Sequence, residues 1–167
     1  LVCLAYPPEQ VTDIGADNIS NLISLGFDVE IISISPIFWR NLLKIGFLSF
    51  CNWAKFTEQA IISSVSKAAI RHNIKLVFWG ENPADTVGDG KTSSGEEGKG
   101  YDGKNLKNMN TVSGGKIDWI ASKYNIPKDK LYQFEFPSHQ YFSKNKIQII
   151  YLGWFWPDWT IKKNGLT

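Results

Sequence analysis

The sequence predicts an α/β domain built on a layered parallel sheet with helices on both faces, and three observations lead there. Continuous apolar runs at residues 1–6, 29–34 and 74–79 read as strands buried on both sides. Segments of helical periodicity lie between them, and strands separated by helices pair in parallel through right-handed crossovers. Proline and glycine fall where one element must give way to the next.

The first run ends at Pro7-Pro8, which cannot continue a central strand. Asp13 is then placed to cap a helix whose apolar residues Ile19, Leu22 and Ile23 recur at helical spacing, and Gly26 is placed to close it. After the second strand, Ser35-Pro36 sets a capping residue before a first-turn proline, with Phe38, Leu42 and Ile45 on one helical face. A helix over 57–72 is expected to turn Ile61, Val65, Ala68 and Ala69 inward, and the third strand follows it. From Pro83 to about Asn110 the chain is rich in Gly, Lys, Asp, Ser and Asn; a connection of that length is commonly functional. Trp119, Ile120 and Tyr124 restore a helical pattern, Pro127 starts a further turn, and 147–156 reads as a last strand stopped by Pro157.

One domain is therefore expected, with residues 1–82 as its core, 83–112 as a glycine-rich active-site loop or insertion, and 113–167 as its continuation. A chain of 167 residues suits that reading. The chain opens inside a strand without an initiator methionine, so it reads as a fragment whose sheet lacks its first strand. Net charge is +2 with no long basic run, which argues against nucleic acid as a partner. Cys3 and Cys51 have no paired spacing, so neither a disulfide framework nor a zinc site is indicated; both are expected to be buried thiols of a cytoplasmic protein. No apolar stretch reaches transmembrane length, and no membrane insertion is expected.

Two positions stand out chemically. Ligands of open α/β sheets bind beyond the carboxyl ends of the strands, and there Leu76-Val77-Phe78-Trp79 breaks into Gly80-Glu81-Asn82. A carboxylate following a buried strand is costly unless paired or contacting a ligand, so Glu81 is the first candidate, with a salt bridge or helix cap as its plain alternative. Asp13, at the corresponding edge after the first strand, is either a helix cap or part of a site whose free backbone N–H groups face an anion.

Other motifs fail their templates. Gly90-Lys91-Thr92 ends like a P-loop, but Asp85 stands where that loop needs glycine. Ser113-Gly114-Gly115-Lys116-Ile117-Asp118 resembles a pyrophosphate loop with its aspartate one place late, and a helix start capped by Ser113 fits better. The run from Lys104 to Asn110 reads first as a solvated loop, with the gripping of a phosphate or of sugar hydroxyls by its donors as the alternative. His72 and His139 have no second ligand at metal spacing, and Trp154, Trp156 and Trp159 fit packing on one face of a strand.

Taken together, Thr12-Asp13-Ile14-Gly15 with Asn18, Phe78-Trp79-Gly80-Glu81-Asn82, Tyr101-Asp102-Gly103, Met109-Asn110-Thr111 and Tyr151-Leu152-Gly153-Trp154 resemble one family. It is the N-acetyl sugar amidotransferases of surface-polysaccharide (lipopolysaccharide, O-antigen) biosynthesis, within the PP-loop ATP pyrophosphatases. The resemblance implies an adenine nucleotide alpha hydrolase-like (Rossmann-like) fold that uses ATP and Mg2+ to activate an oxygen of an N-acetylated sugar. Ammonia from a partner glutaminase then displaces AMP. It implies catalytic roles for Glu81 and Asp13, nucleotide contacts at Leu4, Ala5 and Gly80, and sugar contacts at Asn18, Asn82 and Asn110, with no residue assigned as a metal ligand. It also implies that Ser33 to Pro36 wall the pocket. The family's Ser-Gly-Gly-x-Asp-Ser loop is absent from these residues, so the chain alone is expected to be inactive or nearly so. The alternative is a non-catalytic glycan-binding or assembly module derived from the same fold.

Overall fold

The computed structural model describes residues 1–5, 12–80 and 116–155. They form a mixed α/β structure in which helices predominate. In chain order the elements are β1 (Val2–Ala5), α1 (Asp13–Ser24), β2 (Val29–Ile32), α2 (Pro36–Phe50), α3 (Lys55–Arg71) and β3 (Leu76–Trp79). They are followed by α4 (Ile117–Tyr124), a 3₁₀ helix (Lys128–Phe134), α5 (His139–Asn145), β4 (Gln148–Tyr151) and α6 (Leu152–Phe155). The chain divides into two compact units, Leu1–Ala68 with Ile117–Phe136, and Ala69–Lys116 with Pro137–Thr167.

In the first unit β1 and β2 pair in parallel, with Leu4 opposite Ile31 and Ala5 opposite Ile32. Parallel pairing obliges the chain to return from the carboxyl edge of β1 to the amino edge of β2, and α1 is that return. Thr12, not Asp13, caps α1: its Oγ1 accepts the Gly15 amide at 3.2 Å, and Asp13 is the first helical residue. A carboxylate suits the first turn as well as the cap, because it faces the positive end of the helix dipole. Leu25 ends the helix and Gly26 follows at φ +90°, where glycine is strongly favoured. Ile19 and Leu22 are half-buried while Ile23 is exposed, and no residue of α1 is fully buried.

The core of this unit lies in its helices. Pro36 opens α2 as expected, although Ser35 makes no side-chain cap, and Trp39 and Leu42 are buried with Phe38 and Ile45 packed beside them. Phe56 and Ala60 of α3, Ile120 of α4, and Leu131 and Phe134 of the 3₁₀ helix complete the cluster. Burying each large apolar side chain contributes about 1.5–3 kcal/mol, so this cluster rather than the small sheet stabilises the unit. α3 packs differently from its apolar pattern. Ile61 and Val65 are only half-buried, whereas Lys55, Gln59, Ser63, Ser64 and Ser66 are buried with Ala60, Ile62, Ala68 and Ala69. The α2–α3 turn is closed by Cys51 in the left-handed region at φ 51°, which leaves this cysteine exposed rather than buried.

In the second unit β3 and β4 pair in parallel, Val77 opposite Ile149 and Trp79 opposite Tyr151. Neither run is buried on both faces. Val77 is buried and Trp79 half-buried on one side of β3, while Leu76 and Phe78 are exposed on the other. The expected strand over 147–156 stops at Tyr151 and turns into α6, so Trp154 lies on a helix and strand alternation does not apply to it. α5 has no counterpart in the sequence reading: one buried residue, Phe142, is too little to show a period. Among the described residues the strands form two separate two-stranded sheets, and a single layered sheet is not seen.

Candidate functional site

Leu4 and Ala5 form the carboxyl end of β1, whose one described neighbour is β2. In a parallel ladder alternate residues of an edge strand turn their N–H and C=O groups away from the partner, so this edge retains hydrogen-bonding capacity. The connection 25–28 ties the end of α1 to the amino end of β2. Asp13 and Asn18 are both exposed on that helix. With Thr12 taking the Gly15 amide and the Ala16 amide bonded to the Thr12 carbonyl, the amides of Asp13 and Ile14 have no intrahelical partner. The Asp13 carboxylate occupies this positive end, which makes it a poorer anion site than two free amides alone and a better one for hydroxyl or amine donors.

Beyond β2, Ser33 and Ser35 are exposed while Ile34 between them belongs to the core, so this stretch offers hydroxyls at the same edge. Gly80 directly follows β3 in the second unit and is exposed. Glu81, Asn82 and Asn110, together with Ser113 and the glycine-rich stretch, lie outside the described residues. The described site residues that share a unit are thus Leu4, Ala5, Asp13 and Asn18. Among the described residues no group of three or more His, Cys, Asp or Glu side chains could hold a metal ion, and no helix is long and apolar enough to cross a membrane.

A second polar cluster escaped the sequence reading. Lys55, Gln59, Ser63 and Lys67 recur every fourth residue of α3, and that spacing is the signal by which it could have been found. Ser63 Oγ donates to the Gln133 carbonyl and Lys67 Nζ to the Tyr132 carbonyl, which ties α3 to the end of the 3₁₀ helix. The Lys67 ammonium also lies 3.8 Å from the centroid of the Tyr132 ring. Burial lowers the Lys67 pKa to about 8, against an opposing attraction from Glu135. Burial lowers that of Lys55 as well, whose Nζ sits 4.6 Å from the Phe50 ring centroid. Gln59 Oε1 and Ser64 Oγ are buried without a hydrogen-bond partner. An amine that is partly neutral near neutral pH can act as a base, but here its contacts are the Tyr132 carbonyl and ring, and its role is to fasten two helices.

The sign of the Lys67 effect on stability follows from the two states. Between about pH 8 and 10.5 the unfolded chain holds this proton and the folded chain does not, so stability rises with pH across that window. Lys67→Met is expected to flatten the rise, measured as urea-unfolding free energy from pH 7.5 to 10.5; an unchanged slope would contradict the assignment. Lys55 contributes with the same sign and remains in the variant.

No family model matches the chain, and no curated protein matches it in sequence.

Proposed function

We propose that this chain forms part of an ATP-dependent amidotransferase acting on an N-acetylated sugar in surface-polysaccharide assembly in the cytoplasm, with β1 and the start of α1 receiving the nucleotide. The observation that supports this reading is the parallel β1–β2 pair with α1 between its strands in the chain and, among the described residues, β2 as the partner of β1. In this reading the chain is the remainder of a layered, Rossmann-like sheet. Backbone groups at Leu4 and Ala5 would meet adenine, whose edge offers both donors and acceptors. The Asp13 carboxylate and the Asn18 amide would accept and donate to hydroxyl groups nearby. ATP would bring its own magnesium on its phosphates, the usual way that ion is held.

ATP supplies adenylation, which converts a poor leaving oxygen on the sugar into a good one. The resemblance assigns Gly80 to the nucleotide and Glu81 as the carboxylate that would take a proton from ammonia as it attacks. The ammonia is assigned to a partner glutaminase, and Asn82 and Asn110 to the sugar.

Titration calorimetry tests this reading. ATP with Mg2+ is expected to bind, GTP to bind at least about tenfold more weakly, and Asp13→Ala to weaken ATP by a similar factor. Equal heats for both nucleotides, or none, would contradict it. Binding of an N-acetylated sugar with no response to ATP would favour the glycan-binding module instead.

A further inference from the structure

The first unit carries two exposed apolar faces of opposite charge. The exposed charges of α1 and the turn after it are Asp13, Asp17 and Asp28, whereas those of α2 are Arg40 and Lys44. On α1, Ile14 and Leu25 are 74 % and 75 % exposed, and Asp17 is exposed on the same side of the helix. Ile14, Asn18, Asn21 and Leu25 follow at intervals of three or four and so form one stripe. Phe27 and Asp28 follow just past the helix, both exposed. On α2, Ile37 and Leu48 are 68 % and 69 % exposed, with Arg40, Lys44 and Phe47 exposed between them and Trp53 exposed just past the helix end.

Apolar side chains this exposed, gathered on single helix faces, mark interaction surfaces more often than chance exposure does. The charges sharpen the point. Among the described residues no salt bridge joins Asp17, Asp28, Arg40 or Lys44 to another side chain. Each face thus keeps its sign among the described residues. Like faces repel: stacking the α2 face on itself sets Lys44 and Arg40 against the same cations, and stacking the α1 face on itself sets aspartate against aspartate. Unlike faces match in both apolar content and sign.

We infer that the chain self-associates through unlike faces, the cationic apolar face of α2 in one copy docking on the acidic apolar stripe of α1 in the next. The occupant of each face is therefore a second copy of this chain. Such pairing buries Ile37, Phe47 and Leu48 against Ile14 and Leu25, while Arg40 and Lys44 meet Asp17 and Asp28 at the rim, where they guide encounter and register. Because the two patches differ, a contact of this kind propagates head to tail unless symmetry closes it.

Sedimentation velocity on the full chain at low and high salt tests the inference with the variants Lys44→Glu and Asp17→Lys. Both substitutions are on exposed positions, and a thermal melt followed by circular dichroism checks that each variant folds. The wild type is expected to form species larger than the 18.9 kDa monomer that dissociate as salt is raised. Each variant alone is expected to associate at least about tenfold more weakly. An equimolar mixture is expected to recover assembly, because the acidic α2 face of one variant then meets the basic α1 stripe of the other. A monomeric wild type, variants that assemble as the wild type does, or a mixture that stays monomeric would each overturn it. So would a wild type that remains monomeric yet sediments with anionic phosphatidylserine vesicles, which would assign the α2 face to a lipid surface.

Discussion

Replacing Phe134 by alanine is expected to cost about 3–5 kcal/mol, the range found when a large aromatic is removed from a packed core. Phe134 ends the 3₁₀ helix and is fully buried. Its ring stands edge-on to Phe56 at 5.7 Å and to Phe38 at 6.4 Å, and is tilted against Trp39 at 6.2 Å. It therefore joins α2, α3 and the 3₁₀ helix at one point. Domains of this size are stable by about 5–15 kcal/mol, so a loss of that order leaves the first unit marginal. Urea unfolding measures it. An exposed counterpart, Tyr141→Ala, is expected to shift stability by less than about 1 kcal/mol. Comparable losses at the two positions would remove Phe134 from the centre of the core.

Gly46→Ala is the second large effect, and its sign is the informative part. In an exposed helix interior the change stabilises by about 1 kcal/mol, because glycine is the poorer helix former. Here the chain folds back after α2, and the Asn52 amide donates to the Gly46 carbonyl at 3.3 Å. A Cβ at position 46 would lie 2.7 Å from the Asn52 carbonyl oxygen and 3.5 Å from the Phe56 ring. The first contact is with backbone in a turn already held by the left-handed Cys51, so it cannot yield without moving the start of α3. A net loss of about 1–3 kcal/mol is expected. Asn41→Ala on the exposed side of the same helix is the control, expected to be neutral or slightly stabilising. Stabilisation by both substitutions would show that the turn does not press on Gly46.

Which parts of this structure were legible in the sequence follows from how strongly each signal is local. Proline 36, glycine 26 and the periodicity of α2 are local rules, and the helices they delimit are where they were expected. The order of strands and helices was legible as far as the 3₁₀ helix, because apolar runs and helical periods are read over windows of a few residues, but α5 and α6 were not. Sheet membership was not. Whether β1–β2 and β3–β4 join depends on partners far away in sequence, and the apolar runs gave no sign that Leu76 and Phe78 would face outward. α3 misled for a different reason. Its polar residues are small serines or long side chains that reach carbonyls of the 3₁₀ helix, and a hydrophobic pattern assigns such residues to solvent. The N-cap of α1 moved by one residue because Thr12 and Asp13 are both good caps and only geometry separates them.

Of the candidate site, Leu4, Ala5, Asp13 and Asn18 lie in one unit, on either side of the link between β1 and α1. Gly80 lies in the other unit, and the carboxylate that follows it was inferred from the sequence alone. What carries the proposal is thus the first crossover, and it is there that evidence has most weight.

The most direct measurement is an amide NMR titration of the isotope-labelled chain with ATP and Mg2+. The account predicts saturable shifts that start at Leu4 and Ala5 and extend through the first turns of α1 to Asn18, and that GTP does not reproduce. Shifts confined to other elements, or none at saturating nucleotide, would contradict it.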